Sequence, residues 1–68
     1  KEITTKLEAF YVLGLKPFED YSLGQIKRNF RMLATIHHPD SPLGSHRRMS
    51  QLNAAMDFLN KNTIDNKI

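Results

Sequence analysis

Two apolar stripes of identical spacing, one on each side of a proline, leave this chain little choice of architecture. Leu23, Ile26, Phe30 and Leu33 fall at intervals of three, four and three, and Met49, Leu52, Met56 and Leu59 repeat those intervals. This is the period of a single helix face, and His37 continues the first stripe. Between the stripes stands His38-Pro39-Asp40. Pro39 cannot continue a helix, because it lacks an N–H and its ring collides with the preceding turn. It also drives His38 toward an extended backbone. The residues that follow, Asp40-Ser41-Pro42-Leu43-Gly44-Ser45, are turn formers. Two helices with matching stripes and a short connection bury their apolar faces by pairing antiparallel.

The helix boundaries are written in the caps. Ser22 and Gln25 make a capping box, S-x-x-Q, at the start of a helix over about residues 22–37. Ser45 is the N-cap of a helix over about 45–61, where small Ala54 and Ala55 allow a neighbour to approach closely. A third, shorter helix over about 6–13 opens on Thr5 and Glu8, another capping box. Its apolar stripe is Ile3, Leu7, Phe10 and Leu13, and Gly14 suits the left-handed residue that ends it, with Lys16-Pro17 confirming the stop. Gly24 is a local weakness of about 1 kcal/mol relative to Ala. No alternating run is long enough for a strand. The expected fold is all-α, an antiparallel helical hairpin with the short first helix laid across it. Residues 60–68, rich in Asn and Lys, read as a frayed tail.

Composition narrows the function classes. Sixty-eight residues make one small domain, 1–68, and the initial Lys suggests a piece of a longer protein. With no Cys there is no disulfide staple, so helix packing must supply the stability. No run approaches the roughly 20 apolar residues of a membrane span, and no secretory signal pattern opens the chain. A formal charge of +3 leans weakly toward an acidic partner. The charge is also placed. At 100° per residue, Lys27, Arg28 and Arg31 fall on an arc roughly opposite the apolar one. The His38-Pro39-Asp40 bend then sits at the tip of the hairpin, a carboxylate and an imidazole beside a cationic flank. A bend of that kind builds little core and is well placed to touch a partner.

These residues resemble the J-domain, the co-chaperone module of DnaJ-like proteins, over about residues 7–61. The likeness runs through F10-x-x-L13-G14-L15, I26-K27-R28-N29-F30-R31-M32-L33-A34, H38-P39-D40 and M49-x-x-L52-N53-x-A55-M56-x-x-L59. The tripeptide alone is a weak signal; set between those helices it is specific. The resemblance implies docking on the ATPase domain of a DnaK-type 70-kDa heat-shock chaperone and stimulation of its ATP hydrolysis. His38, Pro39 and Asp40 would be the activating triad, and Lys27, Arg28 and Arg31 the docking face, helped by Phe30. No cofactor, metal or catalytic group is implied in this chain, which would act as a monomer. Departures are specific too. Nothing here matches the basic fourth helix of many J-domains, His37 stands where an aromatic commonly precedes the tripeptide, and Met56 replaces an aromatic of the third helix. The form L7-E8-x-x-x-x-L13-G14-L15-K16-P17 with H37-H38-P39-D40 and no fourth helix looks most like the C-terminal J-domain of membrane-anchored DnaJ-like proteins, a cytoplasmic module with no membrane contact of its own.

Rival classes fit less well. A helix-turn-helix DNA binder would share the three helices and the charge, but its turn is three to four residues, and phosphates would repel Asp40. A metal site on His37, His38, His46 and Asp40 lacks a Cys or a second carboxylate, and the adjacent His37 and His38 point different ways. A J-like domain that binds without activating is the third alternative. For Phe30 a plain core role competes with a contact role, and for Phe58 packing against Ile64 competes with exposure.

Overall fold

A computed structural model of the chain describes residues 3–62. It contains three helices, α1 (Lys6–Val12), α2 (Leu23–His37) and α3 (His46–Lys61), and no strand among those residues. The Ser22 box closes in both directions. The Gln25 N–H donates to the Ser22 hydroxyl at 3.2 Å, and the Ser22 N–H donates to the Gln25 side-chain oxygen at 2.8 Å. Ser45 caps α3 by accepting from the Arg48 N–H at 3.0 Å. At α1 the Thr5 hydroxyl accepts from the Glu8 N–H, as expected. The Glu8 carboxylate, however, takes the N–H and the hydroxyl of Thr4, a residue earlier than a capping box requires.

Helix α1 ends in a Schellman motif. The Leu15 N–H reaches the Phe10 carbonyl and the Gly14 N–H reaches Tyr11, with Gly14 at φ +69°. The chain then turns back through a connection pinned by Tyr21. Its ring meets Phe10 edge-on, 5.5 Å between centroids, and its hydroxyl accepts from the Lys16 N–H at 2.9 Å. One aromatic residue thus joins the core to an otherwise exposed loop.

Helix α3 is the shared surface, since both α1 and α2 pack on it. Leu52, Ala55, Met56 and Leu59 of α3 meet Ile26 of α2 and Ala9, Phe10 and Leu13 at the end of α1. The start of α3 is bonded to the end of α2, so the two pack antiparallel, as the stripes require. Helix α1 does not straddle the pair. It lies along α3 and is tied to α2 by the Asn29 side-chain amide, which donates to the Leu13 carbonyl. This position corrects the α1 stripe. Leu7 is 56% exposed and Ala9 is buried in its place. Down the helix axis Ala9 and Leu13 lie to one side of Phe10 and Leu7 to the other, and only the first side is covered. Met49, Leu23, Phe30 and Leu33 pack against the core while keeping part of their surface in water.

At the C-terminal end, α3 runs to Lys61 as the expected bounds of about 45–61 required, so Asn60 and Lys61 belong to the helix and not to the tail expected from residue 60. Asn62 closes the helix, its side-chain amide donating to the Phe58 carbonyl at 2.7 Å. The rest of that tail, with Ile64 and any fourth helix, lies outside the described residues. No described helix is long and apolar enough to cross a membrane.

Ile26 is the one fully buried side chain that α2 contributes. Ile26→Ala should cost about 2–5 kcal/mol, the transfer term plus an unfilled cavity. Urea unfolding followed by circular dichroism should show a sharp fall in the midpoint; a change of a few tenths of a kcal/mol would contradict this packing.

Candidate functional site

The connection between α2 and α3, residues 38–45, is a folded structure in its own right. A helix ends with carbonyls that lack intrahelical partners, and this loop supplies them in sequence. The Ser41 hydroxyl donates to the Ile36 carbonyl at 2.5 Å, the Ser45 N–H to His37 at 3.1 Å, and the Ser41 N–H to His38 at 2.9 Å. The Gly44 N–H then closes a second turn onto the Ser41 carbonyl at 3.0 Å. This winding brings Gly44 hard against α2. A β-carbon there would stand 1.6 Å from the His38 carbonyl oxygen, an impossible contact with backbone. Gly44 is therefore what lets the bend close.

The winding turns His38 and Asp40 outward. His38 has the extended backbone that Pro39 imposes (φ −58°, ψ 138°). Its side chain is 56% exposed and that of Asp40 is 92% exposed, while Pro39 is half-buried. The Asp40 N–H donates to His38 Nδ1 at 3.2 Å. A neutral imidazole that accepts at Nδ1 carries its proton on Nε2, so the ring offers an outward N–H donor. The Asp40 carboxylate lies 3.7 Å from the same Nδ1. That ion pair needs a proton on Nδ1 and competes with the backbone bond. The backbone bond is the shorter, and we take it as the arrangement of the neutral ring.

Lys27, Arg28 and Arg31 are exposed along α2, and none pairs with an acid among the described residues. Phe30 is half-buried, packed against the core on one side. The structure thus brings His38, Pro39 and Asp40 together at one end of the hairpin, with the three cations running along α2 toward them. His37 is half-buried, and its Nδ1 is shielded without a hydrogen-bond partner. His46 is exposed at the start of α3. No group of three or more ligating side chains that could hold a metal ion occurs among the described residues. Phe58 packs partly against the core, beside a shallow groove it shares with Ile3 and Ala54.

Two features of the site were not read from the sequence. Met32 and Ile36 are exposed on α2, outside the apolar arc that faces the core. The sequence signal for them is their spacing, four and eight residues after Arg28, which sets apolar residues on a row of the polar side of the helix. Gly44 was read as a turn former, but its contact with His38 depends on how the loop winds. No family model, no curated protein and no solved structure matches the chain.

Gly44→Ala should distort the bend without melting the helices. The expected cost is about 1–3 kcal/mol, with amide shift changes centred on residues 37–45 in NMR spectra. Shifts confined to the two residues flanking Gly44 would show that the loop absorbs a methyl group freely. Long-range nitrogen–proton correlation of neutral His38 should show the proton on Nε2, and a dominant Nδ1–H form would rule out the bond from the Asp40 N–H.

Proposed function

We propose that this domain is a J-domain co-chaperone module that docks on the ATPase domain of a DnaK-type chaperone and stimulates ATP hydrolysis. The observation that carries the reading is the presentation of His38 and Asp40, outward and side by side, at the end of a helical hairpin whose α2 flank is cationic. The motif on which the resemblance rests is accordingly free to meet a partner rather than consumed in the core.

The division of labour follows from physical chemistry. Lys27, Arg28 and Arg31 draw an acidic surface toward α2, acting mainly on the association rate and its salt sensitivity. Asp40, held on a short rigid bend, forms a charge-assisted pair with a cation of the chaperone, which is stronger and more directional. The Nε2–H of His38 adds a donor beside it. Phe30 braces α2 from the core side. The hydrolytic chemistry belongs to the chaperone, and this chain contributes geometry and charge. We place the domain in the cytoplasm with its chaperone, as a monomer needing no cofactor.

Duplex-DNA binding is the competing reading. The eight-residue connection between α2 and α3, against three or four in a helix-turn-helix, weighs against it. So does an exposed carboxylate at the tip, where phosphates would have to approach.

Single-turnover ATPase assays with a DnaK-type chaperone test the proposal. The unmodified chain should accelerate hydrolysis, and His38→Gln or Asp40→Asn should abolish that acceleration while leaving the circular dichroism spectrum and unfolding midpoint unchanged. Normal stimulation by either folded variant would refute the roles assigned to them.

A further inference from the structure

The outward surface of α2 carries two parallel rows. Lys27 and Arg31 are four residues apart and about 40° apart around the helix, and form one row. Arg28, Met32 and Ile36 continue at the same step and form the next, so cations and apolar side chains run together toward the bend. Met32 is 56% exposed and Ile36 43%, and no described element covers either. Leu43 is 77% exposed in the connection that the Ser41 hydroxyl fastens to the Ile36 carbonyl. Single exposed apolar residues are ordinary. Met32 and Ile36 on one row of α2 that leads toward His38 and Asp40, with Leu43 exposed in the connection fastened to that row, form a contact surface.

The reason the row stays bare lies in the fold. The end of α1 is hydrogen-bonded to α2 at Asn29, through the Leu13 carbonyl. Met32 and Ile36 lie about one and two turns further along α2, and α1 packs on α3 rather than on α2.

We infer that Met32, Ile36 and Leu43 are the apolar half of the docking surface, gripping an exposed apolar strip that borders an acidic patch on the chaperone. This inference rests on the functional reading above and adds what that reading lacks, a source of affinity that salt does not screen. The charges select the partner. A second copy of this chain would bring a further net charge of +3 and an α2 that carries no acid of its own to meet these cations. An acidic surface meets the same cations favourably while the apolar side chains lose water. The cations therefore govern encounter, the apolar row governs residence, and the bend governs activation.

The test is Met32→Gln with Ile36→Gln, two exposed positions where Gln keeps or improves helix propensity. Circular dichroism and urea unfolding establish that the double variant folds as the parent does. In the ATPase assay the concentration for half-maximal stimulation should rise about tenfold, the scale of losing one or two interface anchors. Stimulation at saturation and the slope of affinity against salt should stay as in the parent. By contrast, Lys27→Gln with Arg31→Gln should flatten that slope. Stimulation by the parent with half-saturation of the double variant within twofold of it would overturn this inference alone. No stimulation by the parent would overturn the functional reading and the inference with it. Self-association in sedimentation, or binding to phosphatidylserine vesicles, that the double variant abolishes would also overturn it by assigning the row another occupant.

Discussion

Everything in this fold depends on one face of α3. With 68 residues and no crosslink, the chain can bury only a small core, and half of that core comes from Leu52, Ala55, Met56 and Leu59. Helices α1 and α2 each pack on that face, and their own direct tie is the Asn29 side chain on the Leu13 carbonyl. Ala55, fully buried, sets how closely the neighbours approach. An isolated helix of seven residues would not persist in water. Helix α1 does so because Phe10 and Leu13 enter the α3 face and the Schellman turn closes behind them.

The bend inherits its geometry from the same pairing. Once α2 and α3 are antiparallel, the eight residues between them must reverse the chain while satisfying the last carbonyls of α2. Ser41 contributes a hydroxyl and an N–H, Ser45 an N–H, and Gly44 the space to pass beside His38. These bonds rigidify a segment that turn composition alone would leave loose. Rigidity matters for the proposed role, since a pair of polar groups held in place before contact loses less conformational entropy when a partner arrives. The hydrogen bond from the Asp40 N–H to His38 extends this order into the side chains.

Much of this was legible in the sequence, and the limits have identifiable causes. Caps and stripes gave all three helices to within a residue at their ends, because Ser22, Ser45, Gly14 and Pro39 act locally and their effect does not wait on tertiary contacts. The hairpin followed from matching periods. What could not be read was which side of α1 would be covered, since Leu7 and Ala9 are separated by packing and not by pattern. Periodicity also overstated Met49, which sits in the first turn of α3 beside the bend and stays partly exposed. The outward placement of His38 and Asp40 was expected from the proline. The clash that makes Gly44 indispensable was not, because it arises between residues six apart in a loop whose winding no periodicity encodes.

The distribution of charge bears on why such a domain keeps its shape at some expense to stability. Helix N-termini favour acids, each worth about 0.3–1 kcal/mol, and disfavour cations by a similar amount. Neither α2 nor α3 has an acid in its first turn, and α3 begins His46-Arg47-Arg48, placing cations at the positive end of its dipole. The first turn of α3 adjoins the bend, through Ser45 on the His37 carbonyl. Local electrostatics alone would replace those residues with Asp or Glu. Within α3 capping is satisfied by Ser45, so its electrostatic exception lies at the end of the hairpin where His38 and Asp40 are displayed. Sequences that satisfy local rules elsewhere tend to break them where function makes a competing demand. An acidic partner approaching that end would meet His46, Arg47 and Arg48 from one helix and Arg31 from the other, and would offset in the complex the repulsion the free domain carries.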